Sequence, residues 1–445
     1  LAGNTEKSLR NQIIYSVFVR NYSKEGTFEA VRADLDRIRS LGTDIIWLMP
    51  INPVGRINRK GTLGSPYSIS DYRKVNPEFG TEDDLKKLVK SIHSKGMKII
   101  IDIVYNHTSR DSVLSRQHPE WFFHKEDGNF GNKTGDWWDV IDLDYSNKDL
   151  WKYQIDTLKM WAGEFDIDGF RCDVAPLVPV EFWEEARAAV ESVHPGAIWL
   201  AESVEPSFVT YNRSKGVTCA SDSELYQAFD ICYDYDSYWL LDGYLSGRNS
   251  LKKYLERLNL QEAIYPDNYI KLRFLENHDR LRAAFIIKDM PSLVNWTAFL
   301  YFQKGTTLIY NGQEAMESHT PGLFDDDTIS WNRMDESHPL QDLMRRMALL
   351  KKNPILSDSS FRAESPFDGL IIATHRENAG KINGKPGKRL VGFFSTDGRP
   401  HLVHVNRSGE NDIPDGIYTN LVDGSHVECS FGEVSLTGEP VIIEI

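Results

Sequence analysis

The chain has 445 residues, 41% of them hydrophobic, and a formal net charge of −14. That length accommodates a barrel of roughly 250 residues or more with a module appended. The negative balance argues against nucleic acid or an anionic membrane surface as partner. No run of about 18 apolar residues occurs, so no membrane-spanning helix is predicted. Aromatic residues reach 11%, including 11 Trp and 19 Tyr, a supply suited to flat, partly apolar ligands such as sugars.

Apolar, β-branched runs recur with room for a helix between each pair. They read IIYSVFV (13–19), DIIWLMPI (44–51), MKIIIDIVYN (97–106), IDGFRCDV (167–174), AIWLAES (197–203), FDICYDYD (229–236), YIKLRFLEN (269–277) and TTLIYNGQE (306–314). In TFEAVRADLDRIRSLG, Phe28, Val31, Leu35, Ile38 and Leu41 recur at three- and four-residue steps and Gly42 closes the end, which predicts a helix. TEDDLKKLVKSIHSKG repeats the pattern, with Thr81 as N-cap and Gly96 at the stop. Eight strands alternating with helices predict an α/β fold, a (β/α)8 TIM barrel. A doubly wound open sheet is the competing fold, but no GxGxxG turn follows the first strand.

Two stretches break the rhythm. Residues 108–145, after the third strand, are too long for an ordinary connection and rich in Trp, Gly and Asp, so a small inserted domain is expected. From about residue 355 the helix pattern stops, and GLIIATHR, KRLVGFFST, PHLVHVNR and VSLTGEPVIIEI alternate with Gly, Asp and Pro turns. They predict a C-terminal all-β sandwich. The expected division is barrel 1–107, insertion 108–145, barrel 146–354 and β-sandwich 355–445.

Cys172, Cys219, Cys232 and Cys429 show no metal-ligand spacing, and Cys172 and Cys232, in strand-like runs, read as buried free thiols. That leans towards a reducing, cytoplasmic location, with secretion as the alternative. The chain begins with Leu1 rather than Met, and its first eight residues carry no signal-peptide pattern. Neither feature sets the oligomeric state.

Barrels place reacting groups at the carboxyl ends of their strands. There the third strand closes on Asn106 and His107, the fourth on Arg171 and Asp173, the fifth on Glu202, and the seventh on Asn277, His278 and Asp279. Singly, each has a plain structural use. His107 fits a capped loop histidine, Glu202 a helix start, and Asp279 a pair with Arg280 or Arg282. Gathered at one end of four strands, they point to chemistry.

Several carboxylates without a metal-ligand cluster suit glycoside hydrolysis, whose oxocarbenium-like transition state needs anions and a proton donor. In GFRCDVAP (169–176), strand alternation points Arg171 and Asp173 to one face, and the guanidinium would keep Asp173 ionised as nucleophile. Glu202 follows the apolar AIWLA with no basic neighbour in sequence, a setting that would raise its pKa and fit it as acid/base.

DIVYNH (102–107), GFRCD (169–173), the Glu202 of AES and ENHD (276–279) resemble, in order, the four signature regions of the α-amylase family of retaining glycoside hydrolases. PYSISDYRKVNPEFGT (66–81), IDLDYSN (141–147) and GTTLIYNGQE (305–314) are similar to further segments of that family. The resemblance spans about residues 10–355 and implies a C-terminal β-domain. It implies Asp173 as nucleophile, Glu202 as general acid/base and Asp279 as the carboxylate that grips sugar hydroxyls in the transition state. By the same resemblance His107 and His278 hydrogen-bond that sugar, Tyr67 stacks on it, and Arg171 orients Asp173.

The implied substrate is an α-1,4-glucan: maltodextrin, starch or glycogen. The alternatives are an α-glucanotransferase, an α-glucosidase acting on α-1,6 bonds or sucrose, and a catalytically inactive interaction module, which would lack one of the three carboxylates. A metal-dependent hydrolase lacks its signature, because no His-x-His opens the first strand. The double displacement requires no cofactor. Calcium is a family option with Asn106 as sole candidate ligand, but Val174-Ala175-Pro176-Leu177 stands where starch-degrading members carry Ala-Lys-His. HPEWFFHKEDG (118–128) resembles members that act on short oligosaccharides from their ends, although the insertion is shorter than theirs. Endo- and exo-action both stay open.

Overall fold

The computed structural model describes residues 2–135, 137–378, 387–405 and 413–445. Within PHLVHVNR, Asn406 and Arg407 lie outside the described residues, as does Asp136 of the insertion.

The predicted strands form as β1 (Ile13–Val17), β2 (Ile45–Leu48), β3 (Lys98–Ile103), β6 (Gly169–Cys172), β7 (Ile198–Ala201), β8 (Ile231–Tyr233), β9 (Lys271–Arg273) and β10 (Thr306–Tyr310), with β4 (His107–Ser109) and β5 (Val140–Asp142) between the third and fourth. All eight close one barrel in the order β1-β10-β9-β8-β7-β6-β3-β2. Nearly every strand residue is buried, the composition expected of parallel strands covered on both faces.

Local chemistry explains the punctuation. Thr81 accepts from the Asp84 amide while Asp84 reaches back, a complete capping box on the helix Glu82–Ser94. Gly96 follows it at φ +70, a left-handed position that glycine takes without a Cβ penalty. TFEAVRADLDRIRSLG departs from the expected single helix: it splits into Phe28–Ala33 and Leu35–Ser40 at Asp34. Tyr22 donates to the Asp34 carboxylate and Arg37 pairs with it, and this anchored aspartate sits at the break. Gly169 has a steric role, because a Cβ there would lie 2.1 Å from the Ile198 carbonyl oxygen. β6 and β7 could not approach so closely with any other residue.

The described chain forms two compact units. One holds the chain up to Thr5, Ile14–Tyr235 and Pro321–Ile329. It contains β1 to β8, the antiparallel β4–β5 pair of the insertion, and an aromatic core in which Tyr105 stacks on Trp183 with Phe182 edge-on. The other holds Glu6–Ile13, Asp236–Thr320 and Ser330–Ile445. Besides β9 and β10 it carries β11 (Ser359–Glu364), β12 (Leu370–Glu377), β13 (Arg389–Ser395), β14 (His401–His404), β15 (Gly416–Thr419), β16 (His426–Ser430), β17 (Glu433–Leu436) and β18 (Val441–Glu444). These make two antiparallel sheets, β11-β12-β13-β18 and β14-β17-β16-β15. Leu370, Val391, Phe393 and Ile443 of the first share one core with Val403, Val427, Val434 and Leu436 of the second, as a sandwich requires.

Candidate active site

Arg171 is the centre of the first unit's polar cluster. Register places it on β6 opposite Asp102 of β3 and Leu200 of β7, and its side chain is wholly buried. Nη1 lies 2.9 Å from Asp102 Oδ1 and 2.7 Å from Asp173 Oδ1, and Nη2 lies 3.1 Å from Glu202 Oε2. Nε donates to the Tyr233 hydroxyl at 3.1 Å. Trp47, Tyr67 and Tyr233 place their rings 5.2, 5.6 and 5.3 Å from the guanidinium carbon. A planar fork with five donors suits this bridging, which an ammonium could not reproduce.

One cation facing three carboxylates, Asp102 and Asp173 buried and Glu202 partly so, leaves the cluster short of positive charge. Burial, then the Glu202 carboxylate, push the Asp173 carboxyl well above the usual range, against the pull of Arg171. The expectation that Arg171 alone keeps Asp173 ionised is therefore too simple. The view of Glu202 as lacking a basic neighbour is corrected as well: nothing basic adjoins it in sequence, yet β6 brings Arg171 beside it.

The backbone aims the pair. Val174 follows Asp173 at φ +40 and ψ +43, a strained left-handed conformation for a β-branched residue. Its amide thereby donates to Glu202 Oε2 at 2.9 Å, which locks the residue after one carboxylate to the side chain of the other.

His107 is buried beside Trp137, with ring centroids 5.6 Å apart. Its Nδ1 faces the Asn106 side-chain amide nitrogen at 3.1 Å, so with that amide donating, Nδ1 accepts and Nε2 carries the proton. Burial holds the imidazole below its ordinary pKa, opposed by Asp142 and Asp139. It is a neutral donor. Tyr67 bonds Asp102 Oδ2 through its hydroxyl at 3.2 Å, and Trp47 donates to the same oxygen at 3.3 Å.

His278 and Asp279 follow β9 in the second unit, where His278 Nε2 lies 3.1 Å from Asp279 Oδ2. Their loop is set by Glu276, which takes Arg282 at 2.7 Å and the Ala283 amide at 2.6 Å. Asp279 presents a side chain that is 41% exposed, open to a ligand.

Asp102, Trp47 and Tyr233 were not singled out by sequence reasoning. For Asp102 a signal existed: it is a lone carboxylate inside the apolar IIIDIV, and alternation puts it on one face with Ile100. Trp47 and Tyr233 read as core aromatics, and only the fold turns their polar tips inward.

Calcium can be tested against the donors around Asn106. Asn106 Oδ1 is buried with no hydrogen-bond partner, an oxygen of the kind that a cation would take. Asp142 is already committed, accepting from Asn132 Nδ2 at 3.0 Å and the Lys133 amide at 2.7 Å. The Lys133 ammonium is bonded to the Leu143 carbonyl at 3.0 Å, and Leu143 N in turn bonds Asn106 O at 2.9 Å. Calcium asks for six to eight oxygens, and among the described residues no group of three or more His, Cys, Asp or Glu side chains that could hold a metal gathers.

A closed (β/α)8 barrel with an arginine-clamped carboxylate set and a neutral histidine donor defines a carboxylate-based glycosidase. The family description "Alpha amylase, catalytic domain" matches residues 12–355, and "Bacterial Alpha amylase C-terminal domain" matches residues 363–443. The chain is similar to a solved α-amylase from Lactobacillus plantarum, 46% identical with a TM-score of 0.91 over 99% of this chain and 100% of that one. A noncanonic maltogenic α-amylase, AmyB from Thermotoga neapolitana, is 34% identical with a TM-score of 0.85 over 98% and 99%. Alpha-amylase 2 of Dictyoglomus thermophilum is 27% identical over 417 residues, 83% of this chain and 70% of that protein. The chain belongs to the α-amylase family. Membership makes it a glycosidase of the α-amylase type.

Proposed function

We propose that this enzyme shortens maltodextrin, starch or glycogen chains through a covalent glycosyl-enzyme formed on Asp173. One observation carries the reading: a single buried guanidinium holds two carboxylates from adjacent strands, Asp173 at 2.7 Å and Glu202 at 3.1 Å. In the first step an Asp173 oxygen attacks C1 of the bound glucose and the glycosidic bond breaks. The Glu202 proton passes to the departing oxygen. In the second, Glu202 takes a proton from water, the water oxygen bonds C1, and Asp173 leaves as carboxylate.

Arg171 orients Asp173 and spreads the negative charge. His107 donates through Nε2 to a sugar hydroxyl, Tyr67 stacks on the ring, and His278 and Asp279 bind further hydroxyls as the ring distorts. Two inversions at C1 leave the α-anomer, so proton NMR of the first maltooligosaccharide product should show α before mutarotation. Initial β-product would exclude the scheme. Product analysis from maltoheptaose, pullulan, isomaltose and sucrose reads the bond preference, and transfer products in place of reducing sugar would reassign the enzyme to transglycosylation.

The donor set at Asn106 supports a metal-independent enzyme in which the Lys133 ammonium ties the insertion together. Burial pushes that ammonium's pKa down, opposed by Asp142 and Asp144. Dialysis against EDTA should leave activity and thermal midpoint unchanged, whereas Lys133→Met should cost about 2 kcal/mol by losing a charged hydrogen bond to a buried carbonyl. A fall in midpoint with EDTA, restored by calcium, would overturn this. Four buried free thiols, Cys172, Cys219, Cys232 and Cys429, favour a reducing, cytoplasmic setting. Among the described residues no helix is long and apolar enough to cross a membrane.

A further inference from the structure

Trp138 is one of the few large aromatic side chains left open, at 56% exposure, yet it is firmly held. The Lys60 ammonium sits 4.7 Å from its ring centroid and 5.6 Å from that of Phe324, and it is fixed there by Asp139 Oδ1 at 2.9 Å. Arg110 Nε donates to the Trp138 carbonyl at 2.7 Å. An exposed indole clamped through one cation and its own backbone loses little freedom when a ligand settles on it.

Three segments of the first unit build this clamp, and they are bonded to one another. Leu63 N and Gly64 N donate to the Phe324 carbonyl at 2.8 and 3.2 Å. Thr62 donates to Asp325 through both its amide and its hydroxyl. Ser68 Oγ donates to the Asp139 carbonyl at 3.1 Å, one residue from Tyr67. On the other side, Trp137 packs on His107. The chain neighbours of Trp138 on either side thus touch the segments that carry Tyr67 and His107, the two residues placed on the scissile sugar.

Strand order gives the direction. β7, β6, β3 and β2 are consecutive neighbours. Glu202 follows β7, Asp173 follows β6, and Trp138 and Lys60 belong to the segments that follow β3 and β2. The acid/base must face the leaving oxygen, so the departing part of the glucan lies on the β7 side. The part that stays attached to Asp173 runs the other way, towards β3 and β2.

We infer that Trp138, backed by Lys60, is a stacking platform for a glucose on the non-reducing side of the cleaved bond, and that it sets the preference for chains with at least two sugars on that side. The apolar face of an α-1,4-linked glucose matches the open indole, while the hydroxyl rim remains hydrated. The inference rests on the roles proposed for Asp173 and Glu202, which fix the polarity of the chain.

The test compares substrates that differ only on that side. Trp138→Ala should lower kcat/KM for maltoheptaose by about tenfold, the scale of one lost stacking contact, chiefly through KM. It should leave α-glucosyl fluoride, which offers no second sugar, unchanged, and Trp138→Phe should recover most of the loss. Equal losses on both substrates, or none on either, would overturn the platform. Maltotriose binding to Glu202→Gln by calorimetry, with and without Trp138→Ala, needs no turnover. A contact there that weakens with Trp138→Ala upholds the platform even if the catalytic roles prove wrong, and unchanged affinity removes it.

Discussion

Asp173→Asn is expected to remain folded and to lose activity on maltooligosaccharides by on the order of 10⁴-fold or more, the scale on which removing a nucleophile acts. The introduced amide oxygen would still accept from Arg171, so the geometry at 2.7 Å has no reason to collapse. The substitution also takes one charge from a set of three carboxylates, Asp102, Asp173 and Glu202, on one buried guanidinium. Its thermal midpoint should therefore match or exceed that of the parent, as is common when an active-site charge is relieved. Glu202→Gln should lose on the order of 10²- to 10⁴-fold on maltooligosaccharides. It should lose far less on α-glucosyl fluoride, whose leaving group needs no proton. Full maltooligosaccharide activity in either variant would sink the assignment, and an equal loss on both substrates in Glu202→Gln would remove it as proton donor.

The same cluster dictates the acid limb of the pH profile. Because burial and Glu202 raise the Asp173 carboxyl, kcat/KM should fall with decreasing pH at values above those of an ordinary aspartate, and Asp173 must be ionised to attack. An acid limb at or below the usual aspartate range would contradict that electrostatic picture.

The largest stability effect is expected at Asp236. Lys271 of β9 is fully buried with its ammonium 2.9 Å from Asp236 Oδ1. Gln261 Nε2 donates to both Asp236 oxygens at 3.1 and 3.0 Å, and Tyr265 donates at 2.8 Å. Burial would raise this carboxyl, but Lys271, Tyr265 and Gln261 together hold it below its ordinary value. Asp236→Ala would strand a buried ammonium and should cost about 3–5 kcal/mol. A folded-state pKa lying below the unfolded one gives a contribution that is full above the unfolded value and lost as pH falls through the folded one. Urea titrations at pH 7, 5 and 3.5 should therefore show the parent's advantage over the variant intact at the first two and shrinking at the third. A pH-independent difference, or none, would mean that Asp236 does not carry the charge.

The barrel was legible because its signals are local and repeated. IIYSV, IIWL, IIIDI and their successors are short buried runs bounded by helix patterns, and Thr81 and Gly96 state where one helix begins and ends. The break at Asp34 was not legible, because periodicity runs straight through TFEAVRADLDRIRSLG. What parts the two short helices is an aspartate held by Tyr22 and Arg37, contacts that helical spacing does not announce. The free, buried state of Cys172 and Cys232 followed from their strand-like setting, whereas that of Cys219 and Cys429 came from the fold.

The pairing of Arg171 with Asp173 needed only alternation along one strand, so the sequence by itself determined that contact, the barrel and the family motifs in order. Glu202 is different. It stands 31 residues from Arg171 in the chain and reaches it because Gly169 lets β6 and β7 close together. Asp102, Tyr233 and Trp47 join the same guanidinium from three other strands. Tertiary structure alone decided the charge balance at the site and the clamp of Lys60 on Trp138. Electrostatic energy depends on distances and burial in space, and no periodicity in one dimension encodes them.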